Sequence, residues 1–183
     1  WNPGCNINIS GGHMIVDGDA VIKGGAVGDG NNIYMSSASG IIDLKKCTVL
    51  NTNSGGNNIA IEAGTLNVMD GALIKNTAIG SRNIATNDSG SNVAHINIKG
   101  GTVTGGHVTG GTNGGNIIIC GNDDITISGG NIIASSTNYG AGIGSGGWTG
   151  AGTFDANYIA AENILISGGT IVTTGGISFS GAG

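Results

Sequence analysis

The sequence has few of the residues on which many functions depend. Only 4% of its 183 residues are aromatic and 9% are charged, and there is a single proline. The net charge is −5, and Arg82 is the one arginine among six basic residues, whereas a nucleic-acid-binding face concentrates basic side chains. No apolar run approaches the roughly 20 residues of a membrane-spanning helix. We therefore expect no nucleic-acid partner and no membrane span in this segment.

Cysteine is also scarce. Cys5, Cys47 and Cys120 are widely spaced and odd in number, which fits no zinc or redox motif. Their residue type favours small buried hydrophobic positions, and a Cys5–Cys47 disulfide is left open. The three histidines share no metal-ligand spacing, so no metal site is predicted.

Glycine, by contrast, is abundant. The chain has 39 glycines, roughly three times the average usage of about 7%. They show no period of three, which excludes collagen, and the 38% apolar content argues against disorder. Ile, Val, Thr and Asn accompany them, a composition typical of short strands separated by tight turns.

One short phrase recurs along the chain at unequal distances. "HINIKGGTV" (His95–Val103) returns as "DITISGGNI" (Asp124–Ile132) and "NILISGGTI" (Asn163–Ile171). Each contains an apolar pair two positions apart, a turn that usually holds glycine, and a third apolar residue seven positions after the first. Six sites share this spacing: Met14/Val16/Val21, Ile42/Leu44/Val49, Leu66/Val68/Leu73, Ile96/Ile98/Val103, Ile125/Ile127/Ile132 and Ile164/Ile166/Ile171.

This repeat predicts a parallel β-helix. The alternation within each pair indicates strands, a single coil cannot bury its apolar side, and stacked coils bury a continuous core. A β-sandwich would lack the fixed repeat and a propeller blade needs four strands. We predict one all-β domain over residues 1–183, a right-handed parallel β-helix (β-solenoid) of about six coils of 24–39 residues. Because the chain lacks an initial Met and ends part-way through the pattern, we expect a fragment of a longer solenoid.

The recurring "I-x-I-x-G-G-x-[IV]" and the corner "GAGIGSG" (Gly140–Gly146) resemble the Gly-rich parallel β-helix repeats of secreted or surface-attached bacterial proteins. That group includes adhesin-like proteins and polysaccharide-binding modules. The resemblance covers Ile7–Phe179 and implies an extracellular or cell-surface location. The leading hypothesis is a non-enzymatic structural, adhesin-like β-helix that associates laterally or end to end into fibres. A phage fibre or tailspike segment is a further alternative.

An aromatic insertion supports a second hypothesis, a polysaccharide-binding module that uses residues 134–162. This stretch lies in the longest interval between repeats and holds Tyr139, Trp148, Phe154, Asp155 and Tyr158. Aromatic faces stack on sugar rings and a carboxylate binds hydroxyls, so these residues are the predicted glycan contacts. The same side chains would equally serve as a cover that packs against the coil.

The repeat also predicts an exposed apolar stripe through which the chain would associate. If the third residue of each repeat points inward, the residue after it points outward, and exposed apolar ribbons are unusual in monomers. Further solenoid coils or a second copy would cover the stripe; loops over it, or a bend that buries both positions, are alternatives. Its members are Ile22, Leu50, Ile74, Ile133 and Val172.

Two groups of acidic residues are candidates for catalysis or metal binding. "GNDD" (Gly121–Asp124) resembles the paired aspartates of polygalacturonases, but the rest of that signature is missing, so no catalytic residue and no enzyme is predicted. Asp17 and Asp19 lie at a corner, where carboxylate oxygens would suit calcium. Asx turns explain the same residues without metal, so no cofactor is predicted and calcium is left open.

Overall fold

The protein is a stack of parallel strands. The computed structural model describes residues 4–24, 30–52, 57–79, 82–86, 92–107, 117–118, 123–135, 142–144 and 163–174. Within these ranges every regular element is a strand, and the strands form a ten-stranded and a six-stranded sheet with parallel pairing. The predicted all-β parallel β-solenoid is confirmed.

The six-stranded sheet is one face of the solenoid, here called the third face. Its strands pair in chain order, one from each pass of the chain, so they define rungs one to six. They are β3 (Val21–Gly24), β5 (Thr48–Asn51), β7 (Leu73–Ile79), β10 (Thr102–His107), β13 (Asn131–Ser135) and β16 (Thr170–Thr174).

The ten-stranded sheet bends into the first and second faces. Its two longest strands, β4 (Ile33–Leu44) and β6 (Asn57–Val68), run through both faces, and their pairing shifts register between Met35 and Ile41. The start of each lies on the first face with β1 (Ile7–Ile9), β8 (Arg82–Thr86), β11 (Ile117–Ile118) and β14 (Ile143–Gly144). The end of each lies on the second face with β2 (His13–Val16), β9 (Ala94–Ile98), β12 (Asp124–Ile127) and β15 (Asn163–Ile166).

Apolar side chains stack inward from all three faces. On the second face the strand register places one aliphatic residue of each rung directly over the next, and those of rungs two to five are fully buried. Each such burial contributes about 1.5–3 kcal/mol, so the core is a column that lengthens with every rung. This ladder is Met14, Ile42, Leu66, Ile96, Ile125 and Ile164.

The corner between the second and third faces corrects the predicted repeat. Four residues separate β2 from β3 and β6 from β7, whereas three separate β9 from β10. The inward residue of the third face therefore comes eight positions after the first apolar residue in rungs one and three, and the seven-residue offset is wrong there. The inward ladder is Ile22, Val49, Ile74, Val103, Ile132 and Ile171.

Glycine is required at this corner because successive rungs pack backbone to backbone. A Cβ on Gly129 would lie 2.3 Å from the carbonyl oxygen of Lys99, and one on Gly168 would lie 2.4 Å from that of Ser128. Gly130 adds a second reason, since its φ of 88° favours glycine. The recurring "GG" thus fixes the distance between rungs as well as the turn.

A ladder of asparagines lies before the first face, exposed at Asn6 and buried at Asn32, Asn58 and Asn83. Asn6 donates from Nδ2 to Oδ1 of Asn32 at 2.9 Å, Asn32 to Asn58 at 3.1 Å, and Asn58 to Asn83 at 3.4 Å. Asn58 also donates to the backbone carbonyls of Val49 and Lys75, both at 3.0 Å. These amides satisfy carbonyl groups inside the corner, which would otherwise be buried without partners.

Candidate functional site

The predicted glycan contacts lie outside the described residues. Tyr139, Trp148, Phe154, Asp155 and Tyr158 all belong to the range 145–162 or to 136–141, of which nothing structural is said. Their role in binding stays a prediction from the sequence.

The predicted association stripe is not one continuous exposed surface. Ile74 is fully buried and Ile22 packs against the core, so their predicted exposure is wrong. The cause is the extra corner residue in rungs one and three, which turns Val21 outward in place of Ile22. Leu50 is half-buried, and only Ile133 and Val172 are exposed as predicted.

The second face carries the most extensive outward set of polar side chains among the described residues. Its strand register aligns two outward ladders, one residue from each rung. One ladder is His13, Ile41, Thr65, His95, Asp124 and Asn163. The other is Ile15, Asp43, Asn67, Asn97, Thr126 and Leu165.

Hydrogen bonds join four rungs of this face. The His13 imidazole lies 3.0 Å from Oδ2 of Asp43, and Asn67 donates to Oδ1 of the same carboxylate at 2.8 Å. Asn97 donates to Oδ1 of Asn67 at 3.1 Å, and the Lys99 ammonium donates to the same oxygen at 3.2 Å. Burial by itself would raise the pKa of Asp43, but the hydrogen bonds from Asn67 and His13 outweigh it and lower that pKa.

A second imidazole–carboxylate pair links rungs four and five. Nδ1 of His95 lies 2.5 Å from Oδ2 of Asp124, and about half of the His95 side chain is exposed. The adjacent Asp123 is buried, and its Oδ1 accepts a hydrogen bond from the Ala94 backbone N–H at 2.7 Å. The two aspartates of "GNDD" therefore have different roles, one fixing the preceding rung and one pairing with a surface histidine.

The first face contributes one perturbed phenol. Tyr34 is half-buried, and burial together with its hydrogen bond to the Glu62 carboxylate raises its pKa to about 12. The phenol is therefore held as a hydrogen-bond donor to that carboxylate.

The aspartates considered for calcium have protein partners at this corner. Oδ1 of Asp17 accepts the backbone N–H of Gly18 at 2.7 Å, and Asp19 lies 3.7 Å from the Lys46 ammonium. No group of three or more His, Cys, Asp or Glu side chains suited to a metal occurs within the described ranges.

The chemistry that this surface offers is hydrogen bonding along the outward side of a parallel sheet. Amides, hydroxyls and carboxylates repeat along the axis at the strand spacing of about 4.8 Å. In the described part of the chain, the side-chain bonds of His13 and His95 go to aspartates, and no serine hydroxyl takes part in them. The face is suited to contact with a polar surface.

The positions of the buried amides could have been found from a second recurring feature of the sequence, which is not part of the repeat described above. An asparagine stands immediately before the first apolar residue of the first face in rungs one to four, as in "NI" at Asn32–Ile33 and Asn58–Ile59. The cross-rung His–Asp pairs had no such signal, because their partners lie about 30 positions apart.

Comparison with known proteins gives a partial similarity. No protein-family model matches the chain, and no solved structure matches it significantly. A curated relative, Serine protease EspC of Escherichia coli O127:H6 (strain E2348/69), is 26% identical over 136 residues, which covers 66% of this chain and 10% of the relative. The chain thus spans about a tenth of the length of that relative. No helix in the described ranges is long and apolar enough to cross a membrane. The chain is a parallel β-solenoid with a distant similarity to part of a bacterial serine protease.

Proposed function

We propose that this chain is a non-enzymatic, extracellular structural segment that acts as a rigid adhesin-like β-solenoid. The observation that carries the proposal is the unbroken strand pairing of the third face, from β3 through to β16. A parallel stack of this kind holds its length without hinges, because every rung is hydrogen-bonded to the next.

The outer surface supports a role in contact. Its polar side chains are aligned on the second face and bond to one another across rungs, as from Asp43 through Asn67 to Asn97. The resemblance of the "GG" repeats to secreted and surface-attached bacterial β-helices supports an extracellular location. The similar segment of Serine protease EspC supports the use of such a sequence within a larger protein.

Adhesion is tested with beads coated with the chain, measured for retention on bacterial and animal cell surfaces under flow. We expect retention above beads coated with the same chain after thermal unfolding. Equal retention of both beads would contradict the adhesin-like role.

The absence of catalysis is tested with polysaccharide and peptide substrates and with a serine-reactive fluorophosphonate probe. We expect no turnover and no labelling. Turnover that disappears in Asp124→Asn or His95→Ala, with Thr126→Ala as a control on the same face, would overturn the non-enzymatic proposal, since both residues belong to the exposed imidazole–carboxylate pair.

Glycan binding is a second proposal, supported by the concentration of aromatics in residues 134–162, which hold four of the seven in the chain. The chain has two tryptophans, which offer a matched comparison. We expect binding on a glycan array to be lost in Trp148→Ala and kept in Trp1→Ala. No binding by the unmodified chain, or equal loss in both variants, would contradict the assignment.

A further inference from the structure

The second rung is longer than its neighbours where the first face turns into the second. Between equivalent paired positions, rung one has three residues (10–12) and rung three has three (62–64), whereas rung two has five (36–40). Residues 36–40, here called the rung-two bulge, therefore include two that have no counterpart in the adjacent rungs. Bulges interrupt strand pairing and are common next to active sites, where they change the direction of a side chain.

Contacts with both neighbouring rungs fix the bulge. A Cβ on Gly64 of rung three would lie 2.5 Å from the carbonyl oxygen of Ser37 and 2.6 Å from that of Gly40, so the bulge backbone packs directly on this glycine. On the other side, the Ser37 and Ser39 hydroxyls lie 3.1 Å apart, and both are close to Gly11 of rung one. The bulge thus presents hydroxyl groups from a defined position. Its exposed residues are Ser36, Ala38 and Ser39.

An aromatic side chain lies beside the bulge on the outward side of the first face. Tyr34 precedes the fully buried Met35 on β4 and is half-buried. Its phenol is hydrogen-bonded to the Glu62 carboxylate of rung three and to Ser36 at the start of the bulge. Because Glu62 belongs to the next rung, about 4.8 Å along the axis, the ring extends along the sheet and not away from it.

The residue under this ring is small. The register partner of Tyr34 in rung three is Ala60, which stands between the inward Ile59 and Ile61 and therefore points outward. Ala60 is nevertheless only 6% exposed. A ring that extends from Tyr34 to Glu62 passes over this position, and alanine leaves room for it. One side of the ring then faces the sheet and the opposite side faces outward.

The groups around the ring suit a sugar. An outward aromatic face can stack on the apolar face of a sugar ring, while its polar tip stays bonded. The Glu62 carboxylate can accept hydrogen bonds from sugar hydroxyls, and the Ser36 and Ser39 hydroxyls can donate or accept. Asn8, which is exposed at the register position of Tyr34 in rung one, adds an amide that can do both.

We propose that Tyr34, Glu62 and the rung-two bulge form a binding subsite for one ring of a neutral oligosaccharide. Tyr34 is the stacking platform, Glu62 orients the sugar through its hydroxyls, and the bulge forms one wall. The carboxylate disfavours an acidic sugar. A quaternary ammonium also suits an aromatic ring beside a carboxylate, but it would not use the serine and asparagine groups. The subsite gives the proposed adhesin-like role a ligand class and rests on that role, and it is separate from residues 134–162.

The experiment is an NMR titration of the 183-residue chain with isotope-labelled tyrosine. The probes are oligosaccharides of glucose, galactose, mannose and N-acetylglucosamine, and loss of signals in Tyr34→Leu identifies the Tyr34 ring. A subsite built around one ring on an open surface should bind with a Kd on the order of 1 mM, which the washing of a glycan array does not retain. We expect at least one sugar to shift the Tyr34 signals saturably, and Trp148→Ala to leave this titration unchanged.

Variants in the Trp148→Ala background test each group, with binding measured by saturation transfer to the sugar protons. Tyr34→Ala should weaken binding at least tenfold, and Glu62→Gln should raise Kd about fivefold. Deletion of Ala38 and Ser39, which gives rung two the spacing of its neighbours, should weaken binding severalfold. Thr126→Ala is the matched control, since Thr126 is also outward and half-buried but lies on the second face.

Circular dichroism checks that each variant folds, and Tyr34→Ala and Glu62→Gln carry the test if the deletion variant does not. The proposal is overturned by sugars that leave the Tyr34 signals unchanged far above 1 mM, by undiminished binding in Tyr34→Ala, or by a shift that choline produces and no sugar does. The cell-retention assay fails or succeeds independently: retention without sugar binding at Tyr34 would leave the adhesin-like role and remove this subsite.

Discussion

Replacing Asn58 by alanine should be among the most destabilising single changes in the solenoid. This amide is fully buried and accepts from Asn32 at 3.1 Å. It also donates to the carbonyls of Val49 and Lys75 at 3.0 Å and to Asn83 at 3.4 Å. Alanine would leave these groups in the core without their amide partner, at roughly 1–3 kcal/mol for each group left unsatisfied. We expect a total loss of about 3–5 kcal/mol in the free energy of unfolding.

The assay is urea unfolding followed by circular dichroism. For the variant, the slope of the free energy of unfolding against urea concentration must match that of the unmodified chain. A changed slope would invalidate the comparison, because repeat proteins can lose cooperativity. Asn97→Ala is the matched control: Asn97 is half-buried, and water can replace its bond to Asn67, so its loss should stay below about 1 kcal/mol.

Asn58→Leu separates the two causes of the loss. Leucine fills most of the volume but restores none of the hydrogen bonds, so the destabilisation should persist. A loss below about 1 kcal/mol for Asn58→Ala, or full stability of Asn58→Leu, would refute the reasoning that buried amides hold the corner together.

Three further predictions concern the corner, the second face and the core. Gly129→Ala should cost about 2 kcal/mol or more in thermal or urea unfolding, because its Cβ would lie 2.3 Å from the Lys99 carbonyl oxygen; Gly4→Ala, with open space around it, should be neutral. The lowered pKa of Asp43 means that its ionised form stabilises the fold above its ordinary pKa and that this stability is lost as pH falls through the lowered value. Asp43→Asn should therefore unfold more readily than the unmodified chain at pH 6, with the difference shrinking in acid; a difference independent of pH would contradict this. Burial raises the pKa of the Cys47 thiol, so iodoacetamide should modify it, as mapped by mass spectrometry, far faster after unfolding than before.

The sequence repeat predicted the inward residues correctly where the corner between the second and third faces has three residues. In rungs four and five, Ile96, Ile98 and Val103 and their equivalents are buried as the spacing predicts. In rungs one and three, one additional corner residue moves Ile22 and Ile74 inward and leaves Val21 outward. An alternating strand reverses its faces with a shift of one residue, so a single miscounted turn residue changed the predicted association stripe.

The sequence by itself determined the fold class, because alternating Ile and Val pairs followed by "GG" corners leave few other ways to bury the apolar side. It also placed glycine where successive backbones meet. Only the tertiary structure decided which residues face each other across rungs, since His95 and Asp124, or Asn32 and Asn58, meet through strand register and not through proximity in sequence. The polar second face exists because strand register aligns the outward residue of every rung in one column, and that alignment depends on the length of each corner before it.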